Sequence, residues 1–253
     1  LSPCPPTDSA TWIAGLKSKL ELVSQEYAIM GDSGKFYPLC VAASGYAEAF
    51  IHQLRNFWTL DPVPRFRRSL DPRDDDNAFS IDQLSGMLYA ITSLLKRNLV
   101  TDADKVRLTE IFNYLTFYGT PFCCPDSSGK KEFAGRGQIY RPYNVLSSRP
   151  QVVFETWCQV AYRVSGDKRY LMLHWLSKIF LVFSSLLATS DGSFWIGRIY
   201  GKSNHQVHST ALIAAAGYQL NDSWFCKRIL KELKKRYWNT NADMLALYGV
   251  HIA

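Results

Sequence analysis

Residues 74–90 read DDDNAFSIDQLSGMLYA, and the fold class turns on how this stretch is read. Ile81, Leu84, Leu88, Ile91 and Leu95 recur with alternating gaps of three and four, which lays them along one face of a helix running to about Arg97. Ser80 stands where an N-cap belongs, and Gln83 occupies the reciprocal capping-box position. The carboxylates of Asp74, Asp75, Asp76 and Asp82 crowd the start of this helix. One reading is general acid and base chemistry on a glycosidic bond, because neighbouring like charges raise one pKa as acid catalysis requires. The simpler reading is electrostatic, with negative side chains interacting favourably with the positive end of the helix dipole. Asp82 is the leading candidate for the acid or base, with Asp76 as its partner.

The same helical spacing extends along the chain in both directions. Helices are predicted from Thr7–Ser9 to about Ala28, from Pro38 to about Trp58, from about Asp104 to Phe117, from about Gln151 to Val164 and from Lys168 to Ala188. Others follow near His205–Tyr218, Asp222–Tyr237 and Ala242–Tyr248. No alternating pattern argues for a strand. Short links such as SGD (165–167) and LND (220–222) alternate with long connections at 59–79, 118–149 and 189–204. If consecutive helices pair as antiparallel hairpins, the long connections gather at one end of a bundle and form a cleft there. The expected fold is therefore all-α, a single domain over residues 1–253.

Three stretches resemble the α/α-toroid proteins, the barrels of helical hairpins found in six-hairpin glycosidases, polysaccharide lyases and terpene-cyclase relatives. SDGSFW (190–195) resembles the Asp-Gly-Ser-aromatic turns that precede inner helices of those barrels, while SIDQLSGMLYAI (80–91), with its polar Asp-Gln pair, and NHQVHSTALIAAAGY (204–218) resemble inner-helix entries. With about nine helices, the resemblance implies antiparallel hairpins arranged as an incomplete α/α toroid. It carries no catalytic assignment.

Further candidate ligand-holding groups lie beside the long connections. GRGQIYRPYN (135–144) supplies Arg136, Tyr140 and Arg141, suited to gripping a sugar or an anion by guanidinium contacts and ring stacking, or to ordering the loop itself. Glu155 shares a helical face with Gln151 and Gln159, and reads either as a second functional carboxylate or as a surface residue. Asp191 and Trp195 lie in the SDGSFW turn, where Trp195 would stack a sugar ring or seal the core. His205 and His208 share a helix face and suit substrate hydrogen bonding or structure; without a third ligand, no metal and no cofactor is assigned.

The formal charge of +7 is concentrated in Arg65–Arg68 and in residues 227–236, where Ile229, Leu230, Leu233 and Tyr237 turn the cations onto a solvated face. Nucleic acid is not expected as a partner. The six cysteines show no CxxC spacing, and Cys40, Cys158 and Cys226 read as buried thiols. The apolar run Leu171–Ala188 is interrupted by His174 and Lys178, so a buried helix is predicted there rather than a span, and no membrane partner. No nucleophile elbow, P-loop or dinucleotide fingerprint occurs. The leading expectation is a carbohydrate-active or carbohydrate-binding helical protein, a glycoside hydrolase or polysaccharide lyase among the options. The alternative is a non-catalytic structural or adaptor component of a larger assembly such as a virion or secretion apparatus, with protein partners.

Overall fold

The computed structural model describes residues 40, 48–62, 64–67, 69–70, 81–118, 123–125, 131–133, 148–186, 204–221 and 225–233. They are mostly helical: α1 (Glu48–Arg55), α2 (Ile81–Lys96), α3 (Asp102–Asn113), α4 (Ser148–Ser165), α5 (Lys168–Leu186), α6 (Asn204–Asn221) and α7 (225–233). Two antiparallel ribbons accompany them, β1 (Trp58–Thr59) with β2 (Arg65–Phe66), and β3 (Cys123–Pro125) with β4 (Lys131–Phe133). The all-α expectation is met for most of the described residues. β3 and β4 fall inside a connection expected to be irregular, and β1 begins at Trp58, where the helix from Pro38 was expected to run on but stops at Arg55; strands of two or three residues are too short to show alternation.

Local chemistry explains where these helices stop and start. α2 ends in a Schellman arrangement: Leu99 N–H donates to the Leu94 carbonyl at 2.9 Å and Asn98 N–H to Leu95 at 3.1 Å. Asn98 takes the left-handed conformation (φ 56°) that such an ending needs and that asparagine tolerates. Thr101 then caps α3 in a full capping box, its hydroxyl accepting from Asp104 N–H at 3.1 Å while Thr101 N–H donates to the Asp104 carboxylate at 3.0 Å. α3 consequently begins earlier than the apolar period alone indicated. It also ends in a π-helical turn, Tyr114–Tyr118.

The SGD link forms the expected tight hairpin. Gly166 (φ 71°) closes α4 by donating to the Tyr162 carbonyl at 2.7 Å. Asp167 caps α5 by accepting from Arg169 N–H at 2.9 Å. α4 and α5 pack closely along one another. α6 and α7 approach closely too, so that a Cβ on Gly217 would lie 2.6 Å from Cys226 Sγ and 3.2 Å from Thr156 Oγ1. Glycine is what admits this approach. α3, by contrast, does not fold back along α2; it packs on α4 and β1. The hairpin expectation holds for SGD and not for the turn after α2, where the Schellman ending redirects the chain.

At the centre, α2 packs extensively on α6, and both pack on α4. Ser93 near the end of α2 donates to Gln219 near the end of α6 at 3.4 Å, and Arg163 near the end of α4 donates to the Leu220 carbonyl of α6 at 2.9 Å. The C-terminal ends of α2, α4 and α6 therefore meet at one end of the bundle. All three are buried on nearly every side through Leu84–Leu94, Val152–Ala161 and Thr210–Ala216, as inner helices must be.

The β1–β2 ribbon is fastened to this core by aromatic side chains. Phe66 meets Phe112 and Trp157 edge-on at centroid distances of 6.1 and 6.2 Å, and the Phe112 and Trp157 rings lie 4.5 Å apart. Trp58 Nε1 donates to Met87 Sδ at 3.2 Å.

α1 is tied to α3 by a forked ion pair. Arg55 Nε reaches both carboxylate oxygens of Asp104 at 3.0 and 3.1 Å, and Nη2 reaches Oδ2 at 2.8 Å. Asp104 is buried and also completes the capping box, so one carboxylate serves two structural ends. Asp104→Ala is expected to lower the unfolding free energy by about 2 kcal/mol, less than a fully buried pair would because the Arg55 side chain keeps some solvent access. Urea denaturation measures it, and Asp104→Asn should recover part of the loss by still accepting from Thr101 N–H.

Cys40, Cys158 and Cys226 are buried free thiols, as expected. The expectation of a buried helix over Leu171–Ala188 needs correction. Tyr170, His174 and Ser177 of α5 turn inward, but Met172, Trp175, Leu176 and Ile179 are exposed.

Candidate functional site

The chemically unusual groups among the described residues sit where α4 faces α5. Glu155 and Gln159 are one helical turn apart on α4, and the antiparallel course of the hairpin brings His174 and Ser177 of α5 opposite them. All four are buried. Gln159 Nε2 donates to Glu155 Oε1 at 3.3 Å, and His174 Nδ1 lies 3.9 Å from that same oxygen, beyond hydrogen-bonding distance. Gln159 Oε1 and His174 Nδ1 are buried without a hydrogen-bond partner.

This environment disfavours charge. Burial pushes the Glu155 carboxyl up to about 7, with Lys178 and the Gln159 hydrogen bond pulling the other way. Burial first, and Lys178 second, hold His174 down at about 4, against the raising effect of the Glu155 backbone. In mildly acid solution the pair is therefore a neutral carboxylic acid beside a neutral imidazole. A protonated Glu155 also supplies a donor to a cluster that holds two buried acceptor-capable atoms with no partner. Burial raises the Cys158 thiol well above its ordinary value, and the nearby Glu155 adds to the shift.

A carboxyl that titrates near neutrality can take up and release a proton at working pH. Its exposure of 3%, and 5% for His174, closes it to a ligand in this conformation. The pair holds a proton inside the hairpin without presenting it to solvent.

The candidates named from the sequence are distributed as follows. Asp76, Arg136, Tyr140, Arg141, Asp191 and Trp195 lie outside the described residues. Asp82 is the second residue of α2, and His205 and His208 fall in the first turns of α6, placed by backbone alone. Glu155 is turned into the protein, not out to the surface. Gln159 was noted only as a face-mate of Glu155, and His174 only as an interruption of an apolar run. Counting outward from Gly166 sets His174 opposite Cys158 and Ser177 opposite Glu155, which brings His174 within about one helical turn of Glu155. Among the described residues no group of three or more His, Cys, Asp or Glu is placed to hold a metal. No protein-family model, curated protein or solved structure matches this chain.

Proposed function

We propose that this chain is a carbohydrate-active or carbohydrate-binding helical protein, built as an incomplete α/α toroid, whose cleft lies at the end of the bundle where α2, α4 and α6 begin. The observation that carries this reading is the meeting of the C-terminal ends of those three helices through Ser93–Gln219 and Arg163–Leu220. Helices that share one end at their termini share the other at their starts, which is the arrangement of inner helices in a toroid. The connections entering α2, α4 and α6 are the long ones, and Asp82, His205 and His208 stand in the opening turns. Asp82 is the acid or base with Asp76 as its partner. Arg136, Tyr140, Arg141, Asp191 and Trp195 hold the sugar from the connections, with His205 and His208. Glu155, sealed in the hairpin, positions α4 and does not touch the ligand.

Affinity electrophoresis and reducing-end release across a panel of neutral and acidic polysaccharides test this. Retardation by at least one polymer is expected, with Asp82→Ala slowing release by about a hundredfold or more, the scale of one lost acid–base group. A protein that neither binds nor cleaves any member would overturn the reading.

A second reading, an adaptor within a larger assembly, is favoured by one specific observation. Met172, Trp175, Leu176 and Ile179 form an exposed apolar stripe on α5. Light scattering at rising concentration separates the two: a monomer that binds sugar supports the first, and an obligate assembly the second.

A further inference from the structure

We propose that the outer face of α5 is a docking surface for an anionic lipid membrane, on which the helix lies flat. Met172, Trp175, Leu176 and Ile179 are 67, 60, 42 and 52% exposed. Their spacing puts them in one stripe along the axis, opposite the Tyr170, His174 and Ser177 side that packs on α4. Among the described residues, α5 holds four of the six large exposed hydrophobic side chains.

Charge selects the occupant. α5 contains no acidic residue, while Lys168 and Arg169 stand exposed at its start and Lys178 lies with its ammonium 5.2 Å from the Trp175 ring centroid. Asp167 and Arg169 pair at 2.6 Å and cancel one another, which leaves Lys168 and Lys178 as the cations of this face. The whole chain carries a formal +7. An apolar stripe containing a tryptophan, with cations at its start and flank, combines hydrophobic insertion with attraction to anionic headgroups. Among the described residues no helix is long and apolar enough to cross a membrane, so the helix lies in the plane of the interface. The earlier expectation of no membrane partner came from the absence of a span; the surface appears only once the exposed side of α5 is known.

Co-sedimentation with vesicles of phosphatidylcholine alone, and with about a third phosphatidylglycerol, tests this at low and high salt. The full chain is expected to sediment with the anionic vesicles, less so in high salt, and to remain in solution with the neutral ones. The variant M172S/W175S/I179S changes only exposed positions and should weaken sedimentation by at least about tenfold. K168E/K178E, which leaves the stripe intact, should remove the preference for anionic lipid. Far-UV circular dichroism checks that both remain folded. Failure to sediment with anionic vesicles would overturn the proposal, as would undiminished sedimentation of the serine variant. A wild-type dimer that the serine variant converts to monomer would assign the stripe to a second copy of the chain instead.

Discussion

Truncating Trp157 to alanine is expected to lower the unfolding free energy by about 3–5 kcal/mol, the cost of emptying a fully buried indole site. Three consequences combine at this position. The Phe112 ring at 4.5 Å and the Phe66 ring at 6.2 Å lose their shared edge-on partner. Thr116 Oγ1 loses the indole N–H that donates to it at 3.0 Å. The hole opens where β2, α3 and α4 meet, and two of its walls are themselves rigid rings that cannot collapse far into it. Trp157→Phe keeps most of the ring contact and loses the N–H, so about 1–2 kcal/mol is expected. Urea denaturation followed by circular dichroism reads both. A cost below about 1 kcal/mol for the alanine variant would show that the three rings do not form the joint described.

The second large effect is in the pH dependence of stability around Glu155 and His174. Burial raises Glu155 in the folded state from 4.5 to about 7, so its contribution is fully present below about 4.5 and is lost as pH rises through about 7. His174 is depressed from 6.5 to about 4, so its contribution is present above about 6.5 and is lost as pH falls through about 4. Each shift corresponds to about 3 kcal/mol across its window. Between about 4.5 and 6.5 the two slopes oppose one another and nearly cancel, because folding adds a proton to the carboxyl and removes one from the imidazole.

Single substitutions should therefore expose what the pair conceals. Glu155→Gln, which mimics the neutral acid, is expected to make stability climb by about 3 kcal/mol from pH 4 to 6.5 relative to the parent. His174→Gln is expected to make it fall by a similar amount between pH 4.5 and 7. Urea midpoints at half-unit pH intervals measure both. Curves for Glu155→Gln and the parent that run parallel from pH 4.5 to 7 would mean that this carboxyl titrates as an ordinary exposed glutamate.

Much of the helical framework was legible because it is written in local periodicity. The stripe Ile81–Leu95 returned as α2, and the SGD link returned as the α4–α5 turn, since a glycine in the left-handed region and an aspartate cap are local devices. The start of α3 lies two residues before the expected one for a local reason as well: Thr101 and Asp104 form a capping box ahead of Val106, where the apolar period begins. The Asn98 ending is also local, but its effect of sending α3 onto α4 and β1 depends on where the Phe66, Phe112 and Trp157 rings pack.

The sequence by itself determined that most of the described residues are helical and that Cys40, Cys158 and Cys226 are buried, because helix spacing and side-chain polarity act within a few residues of each other. Only the tertiary structure decided that Glu155 lies inside the protein facing His174, and that the greasiest helix leaves its Met172–Ile179 face in solvent. A carboxyl on a helix has the same neighbours in sequence whether it points to water or to a partner helix. Its proton affinity is set by what packs across from it, and packing between helices far apart in the chain is the information that local spacing does not carry.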